Sequence, residues 1–117
     1  MKKRIKKNNL SRARDKRHQM LKSLANSLIF YEKITTTPAK MRSLKMYLEK
    51  LITKAKRGTL HDRRLLIKNL GNEVAVKKMM EVYGPKYQQR PGGYLRATKV
   101  ANRAGDNAAQ VLVEFVK

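Results

Sequence analysis

Large apolar residues recur three or four positions apart along the first half of the chain, which is the spacing of one helix face. The pattern predicts a first helix over residues 15–31, in which Asp15 caps the helix or lies in its first turn. A second helix begins after Thr37, with Pro38 at its first position, and ends at Gly58. The inward positions of these two helices are Met20, Leu21, Leu24, Ala25, Leu28, Ile29, Met41, Leu44, Leu48, Leu51, Ile52 and Ala55.

Two shorter helices are predicted in the middle of the chain. Thr59 can cap the third helix, which stops at Gly71, and Asn72 can cap the fourth. We expect Gly84–Pro85 to end the fourth helix, because these two residue types are the strongest helix terminators. The inward positions of this pair are Leu65, Leu66, Leu70, Val76, Met79, Met80 and Tyr83.

In three stretches, the spacing of apolar residues or the residue types change from those typical of a helix to those typical of a strand. "KITTT" at 33–37 is rich in β-branched residues, and "AQVLVEFV" at 109–116 alternates cleanly. "YLRATKVA" at 94–101 alternates less well, and its period does not show which face is buried. The glycine-containing loop between the last two stretches predicts an antiparallel hairpin, which needs "KITTT" as a third strand. We therefore predict a two-layer α+β fold in the order α-β-α-α-α-β-β, with a C-terminal hairpin.

The length of 117 residues suits one small domain, and the absence of cysteine excludes disulfides and thiolate metal sites. The basic start "MKKRIKKNNLSRARDKR" lacks the apolar run of a secretory signal. No window of about 18 apolar residues exists, which argues against a membrane span. We expect a domain over 15–117 preceded by a basic arm over 1–14, which either orders on a partner or is a solvated tail.

Charge narrows the choice of partner. Lys and Arg total 29 against 8 acidic residues, for a net charge of +21. Self-repulsion on this scale is relieved by a polyanion, either nucleic acid or an anionic membrane surface. The basic residues are spread along the whole chain, whereas a membrane-surface helix would concentrate them on one face. The distribution therefore favours nucleic acid.

The sequence shows little that suggests catalysis. The only histidines, His18 and His61, lie beside basic residues, and the acidic residues are scattered singly. No pair stands at the spacing of an acid/base dyad, and "RPGGY" lacks the glycine and lysine spacing of a phosphate loop. We predict no enzyme activity, no metal and no cofactor.

Four basic residues follow one another with no acid between them: Arg90, Arg96, Lys99 and Arg103. Their side chains suit phosphate oxygens, and Asn102 adds hydrogen-bonding reach. Gly92 and Gly93 would let the main chain approach a phosphate. Tyr87 and Tyr94 either stack on unpaired bases or pack in the core, and for Tyr94 we favour the core.

Three quoted stretches carry a family resemblance: "MLKSLANSLIFYEKITTTPAK", "LEKLITKAKRG" and "GPKYQQRPGGYLRATKVANRAGDNA". In order and spacing they resemble the family of the seventeenth protein of the bacterial large ribosomal subunit, over residues 10–116. The resemblance implies a two-layer α/β domain and a cytoplasmic, non-catalytic role in the ribosome. It also implies binding to large-subunit (23S) ribosomal RNA, beside neighbouring ribosomal proteins on the side where the nascent chain emerges.

The N-terminus departs from that family, which begins like "RHRK.G" and continues with "SSHR", where this chain has "KKRIKKNNL" and "RDKR". Arg17 matches the motif arginine, whereas Lys16 replaces the motif histidine. The charge pattern and the resemblance together predict RNA contacts by Lys2, Lys3, Arg4, Lys6, Lys7, Arg12, Arg14, Lys16, Arg17, Lys22, Arg90, Arg96, Lys99, Asn102 and Arg103.

Two other functions are compatible with a basic chain. A basic nucleic-acid-processing enzyme would require a cluster of carboxylates or histidines, which the sequence does not offer. A DNA-packaging protein would bind random duplex DNA as tightly as large-subunit RNA. Both hypotheses are less consistent with the sequence than a structural ribosomal protein.

Overall fold

Four helices and a three-stranded sheet form the two layers of the protein. The computed structural model describes residues 10–117, so the first nine residues of the predicted arm lie outside it. The elements are α1 Arg14–Tyr31, β1 Lys33–Thr36, α2 Pro38–Arg57, α3 Leu60–Leu70, α4 Glu73–Lys78, a π-helical turn Met79–Tyr83, α5 Gly84–Lys86, β2 Leu95–Val100 and β3 Gln110–Phe115. Segments α4, the π-helical turn and α5 are continuous and together make the fourth helix. The predicted order of elements is confirmed.

The sheet has the strand order β1-β3-β2, with both pairs antiparallel. The "KITTT" stretch supplies the expected third strand, and the last strand lies in the centre. Val113 pairs with Ile34 on one side and with Ala97 on the other. On this face of β3, Val111 and Phe115 are also buried against the helices. The opposite face of the sheet is open to solvent.

The predicted helix caps are largely confirmed. The side chain of Thr59 accepts from the Asp62 N–H at the start of α3, and Asn72 accepts from two N–H groups at the start of α4. Gly58 and Gly71 end their helices in the left-handed conformation. At α2, Thr37 occupies the cap without a side-chain cap hydrogen bond, and Pro38 begins the helix. Helix α1 begins one residue before Asp15, which lies in its first turn.

The prediction that Gly84–Pro85 ends the fourth helix is wrong, because the helix continues through Lys86. A π-helical turn brings the Gly84 N–H to the carbonyl of Met79, five residues earlier. Pro85 then occupies the start of the next short segment, where its fixed φ is tolerated. A Cβ on Gly84 would lie 2.9 Å from the main-chain oxygen of Ala55. The glycine therefore permits close packing against α2.

An aromatic cluster joins the fourth helix to the sheet. The rings of Tyr83 and Phe115 stack with their centroids 3.9 Å apart, and Tyr87 and Tyr94 pack beside them. The Tyr83 hydroxyl donates to the carbonyl of Ile29, and the Tyr87 hydroxyl donates to that of Val116. Burial raises the pKa of both tyrosines above its ordinary value.

Replacing Gly84 by alanine tests the contact between the fourth helix and α2. We expect Gly84→Ala to lower the free energy of unfolding by about 1–3 kcal/mol, because the new methyl group would overlap backbone that cannot rotate away. Chemical denaturation measures this change. The matched control is Gly92→Ala, where an added Cβ meets nothing within 4 Å. A Gly84→Ala variant as stable as the wild type would contradict this account of the packing.

Candidate nucleic-acid interface

Acidic side chains neutralise only a small part of the basic surface. The structure shows four ion pairs within residues 10–117: Arg57–Asp62, Lys78–Glu32, Arg96–Glu114 and Arg103–Asp106. The candidate residues therefore divide into arginines that hold an acid of the same chain and cations that belong to none of these pairs.

The start of α1 carries a group of cations outside the four ion pairs. Arg12, Arg14 and Lys16 are exposed, and Arg17 is half-buried. The Arg12 guanidinium donates to the Leu10 carbonyl at 3.0 Å, which folds the chain just ahead of the helix. The other arm candidates, Lys2, Lys3, Arg4, Lys6 and Lys7, lie outside the described residues.

The part of α1 beyond this group is partly used for packing. The Asn26 side chain donates to the carbonyl of Leu70 at 3.0 Å. Lys22 is half-buried, and its Nζ lies 3.1 Å from the position that a Cβ on Gly71 would occupy. Of the predicted contacts on α1, Lys22 is thus the one that packs against the end of α3.

The candidates in the hairpin do not share one face. Arg96 pairs across the strands with Glu114, and its Nη2 lies 2.6 Å from Glu114 Oε1 on the open face of the sheet. Lys99 pairs with Val111 and therefore belongs to the helix-facing side, yet it is exposed. Arg96 and Lys99 therefore lie on opposite faces of the sheet, because side chains alternate along a strand and the two residues are three positions apart.

The hairpin loop is held by its own charged residues. Arg103 forms two hydrogen bonds to the Asp106 carboxylate, from Nε at 3.0 Å and from Nη2 at 2.6 Å. Asp106 also accepts from the Ala108 N–H, and Asn102 donates to the Asn107 side chain. The Arg103 hydrogen bonds lower the pKa of Asp106 to about 2.

The loop before β2 is fastened to α2 by a lysine. Lys56 Nζ donates to the carbonyl of Arg90 and to the hydroxyl of Tyr94. Lys56 lies outside the apolar positions of α2, yet its ammonium group binds two groups of the same chain. Arg90 itself is exposed, and Gly93 supplies the left-handed backbone that the turn requires.

Of the two alternatives for Tyr87 and Tyr94, packing in the core is confirmed, as favoured for Tyr94, and stacking on bases is excluded. Both are 2% exposed and belong to the aromatic cluster. The exposed tyrosine is Tyr31, at 73%. Its spacing from Leu28 places it on the apolar stripe of α1, so no signal in the sequence singled it out. It is exposed because α1 ends there and Glu32 turns the chain in a left-handed conformation.

Other kinds of site are not found in the described part of the chain. Within residues 10–117, no group of three or more His, Cys, Asp or Glu side chains could hold a metal ion. His18 and His61 are both exposed. Across the same range, the helices lack the combination of length and apolarity needed to cross a bilayer.

Comparison with known proteins gives one consistent result. The family model of ribosomal protein L17 matches residues 20–116. The large ribosomal subunit protein bL17 of Carboxydothermus hydrogenoformans is 48% identical, over 92% of this chain and 96% of that protein. The proteins of the same name from Syntrophotalea carbinolica and Mesorhizobium japonicum are 44% and 47% identical, over 92% and 86% of this chain and 70% of each relative.

Titration of Asp106 tests the ion pair that holds the hairpin loop. Because its pKa in the folded protein is depressed to about 2, the pair stabilises the loop above about pH 4 and is lost as the pH falls through 2. We expect Arg103→Gln to raise the Asp106 pKa towards about 3.9, as followed by the carboxyl carbon signal in NMR. Arg96→Gln is the matched control, since it should raise the pKa of Glu114 and leave Asp106 unchanged. An Asp106 pKa unaffected by Arg103→Gln would show that the pair is not maintained in solution.

Proposed function

This chain belongs to the ribosomal protein L17 family, and we propose that it binds 23S ribosomal RNA through its basic arm, the start of α1 and the segment from Arg90 to Arg103. As a member of that family it is a structural, non-catalytic constituent of the large ribosomal subunit, in the cytoplasm, and binds ribosomal RNA. The proposal concerns which RNA segments and which side chains make these contacts.

The assignment of RNA-contacting residues rests mainly on the cations at the start of α1. Arg12, Arg14 and Lys16 are exposed and belong to none of the four ion pairs, so their charge is available to phosphates. We include the arm over residues 1–14 with them, because its lysines and arginines extend the same run of charge. The folded unit of the proposal is the domain over residues 15–117.

The segment from Arg90 to Arg103 contributes in two ways. Arg90, Lys99 and Asn102 present exposed side chains to RNA directly. Arg96 and Arg103 each share their guanidinium group with an acid, yet both side chains remain more than half exposed. In this proposal, these two arginines contact phosphates with the N–H groups that their carboxylate partners leave free.

Separate basic regions would hold separate RNA segments. Helix α1 has 18 residues and is therefore about 27 Å long, so its first residues lie about that far from its end at Tyr31, where the chain enters β1. Neutralising phosphates at both places would favour the RNA fold that brings them together. The resemblance supports a position on the side of the subunit where the nascent chain emerges, in contact with neighbouring ribosomal proteins.

The salt dependence of RNA binding tests the assignment. The first variant removes the charges at the start of α1: Arg12→Gln, Arg14→Gln, Lys16→Gln and Arg17→Gln. If all four residues contact phosphates, the slope of log affinity against log salt should fall by roughly 3. Filter binding to 23S RNA measures the slope, and co-sedimentation with large subunits should fall in parallel. Glutamine is a good helix former, so α1 should be retained.

A second variant controls for net charge. It removes the same number of exposed cations from α3 and α4: Arg63→Gln, Arg64→Gln, Lys68→Gln and Lys77→Gln. We expect a much smaller change in slope for this variant. Equal losses in the two variants would mean that binding follows total charge alone, and would refute the assignment.

A further inference from the structure

A cleft of about 330 Å³ lies where α1 ends, between the start of β1 and the end of β3. This volume is at the lower end of the range for pockets that hold small ligands. None of the predicted RNA contacts lines it. Its lining residues are Tyr31, Glu32, Lys33, Tyr83, Lys86, Glu114, Phe115 and Lys117.

Three of the eight residues that line this cleft are aromatic. Tyr83 and Phe115 are stacked on each other and almost fully buried, so they offer little surface to a ligand. Tyr31 lines the same cleft and is 73% exposed, so its ring is available to a partner. Flat rings stack on exposed aromatic side chains, and every nucleobase has such a face.

The cations in and around the cleft outnumber its acids. Its two acids are each engaged by a cation outside the lining: Glu32 lies 3.5 Å from Lys78 Nζ, and Glu114 lies 2.6 Å from Arg96 Nη2. The three lysines of the lining belong to none of the four ion pairs described above; they are Lys33, Lys86 and Lys117. Lys33 and Lys117 also act electrostatically on the Glu114 carboxylate. With Lys86, Lys78 and Arg96, however, the cations around the two acids outnumber them, so an anionic group entering the cleft would meet a net positive charge.

We propose that this cleft binds one unpaired nucleotide of RNA, with the base against Tyr31 and the adjoining phosphates near Lys33, Lys86 and Lys117. The proposal rests on the RNA-binding function proposed above and adds to it a site for base stacking. A duplex keeps its bases stacked on one another, and only an unpaired base can enter a cleft of this size. The ring of Tyr31 stacks on the face of a base and does not recognise the hydrogen-bonding groups on its edge. The site should therefore accept any base.

Binding of a short, labelled, unpaired oligoadenylate tests the cleft. We expect Tyr31→Ala to weaken binding by roughly 5- to 150-fold, the loss that accompanies removal of one base–aromatic stack. Tyr31→Phe keeps the ring and should bind like the wild type. Phe30→Ala is the matched control, because it removes a neighbouring exposed aromatic ring that does not line the cleft. The melting temperature of Tyr31→Ala should match that of the wild type, since the side chain is mostly in solvent.

Photo-crosslinking locates the bound base independently of affinity. A bromouridine-substituted oligonucleotide should attach to the peptide that contains Tyr31. Wild-type affinity in Tyr31→Ala, or attachment only to other tyrosines, would overturn the proposal. So would NMR shifts of the cleft residues on adding an acidic peptide but not on adding oligoadenylate, which would indicate a protein partner.

RNA-binding measurements on the wild-type protein distinguish a failure of this inference from a failure of the proposed function. Wild-type protein that binds 23S RNA and enters large subunits without binding oligoadenylate would refute the cleft and leave the proposed function intact. Wild-type protein that binds neither RNA would refute both.

Discussion

The stacked contact between Tyr83 and Phe115 is the constraint on which the two layers depend. It joins the π-helical turn of the fourth helix to the end of the central strand, with ring centroids 3.9 Å apart. Tyr87 and Tyr94 pack on the same cluster, so the polar loop before β2 is fixed at both of its ends. The stacked rings also bury a large apolar area between the two layers. The position of the hairpin and the wall of the Tyr31 cleft both follow from this contact.

The few acidic residues have structural uses in a chain of such high positive charge. Asp62 is buried between Thr59 and Arg57, and its hydrogen bond from Thr59 lowers its pKa. Asp106 shapes the hairpin loop through Arg103. Each pair orients an arginine that would otherwise sample many rotamers. Arg103–Asp106 is a surface pair, and such pairs contribute little to stability, so its effect is mainly on the geometry of the loop.

Much of the fold was predictable because the local signals agreed with one another. Apolar spacing in α2, the glycine stops at Gly58 and Gly71 and the side-chain caps at Thr59 and Asn72 all depend on residues close in sequence. The site was less predictable. The pairing of Arg96 with Glu114 joins residues 18 positions apart, and Lys56 reaches a carbonyl 34 positions away. Such contacts depend on strand register and helix packing, which no local pattern encodes.

The sequence by itself determined the order of the elements, the inward faces of the helices, the excess of positive charge and the family. These properties follow from periodicity, backbone preferences and composition, which act over a few residues or over the whole chain at once. Only the tertiary structure decided that Tyr87 is buried and Tyr31 exposed, which arginines already hold an acid, and that Gly84 serves close helix packing. The reason is that burial and ion pairing are properties of distances between remote residues. Tyr, Arg and Lys side chains can therefore lie in a core or on a surface. The packing of α1, the fourth helix and β3 determines where each of them lies.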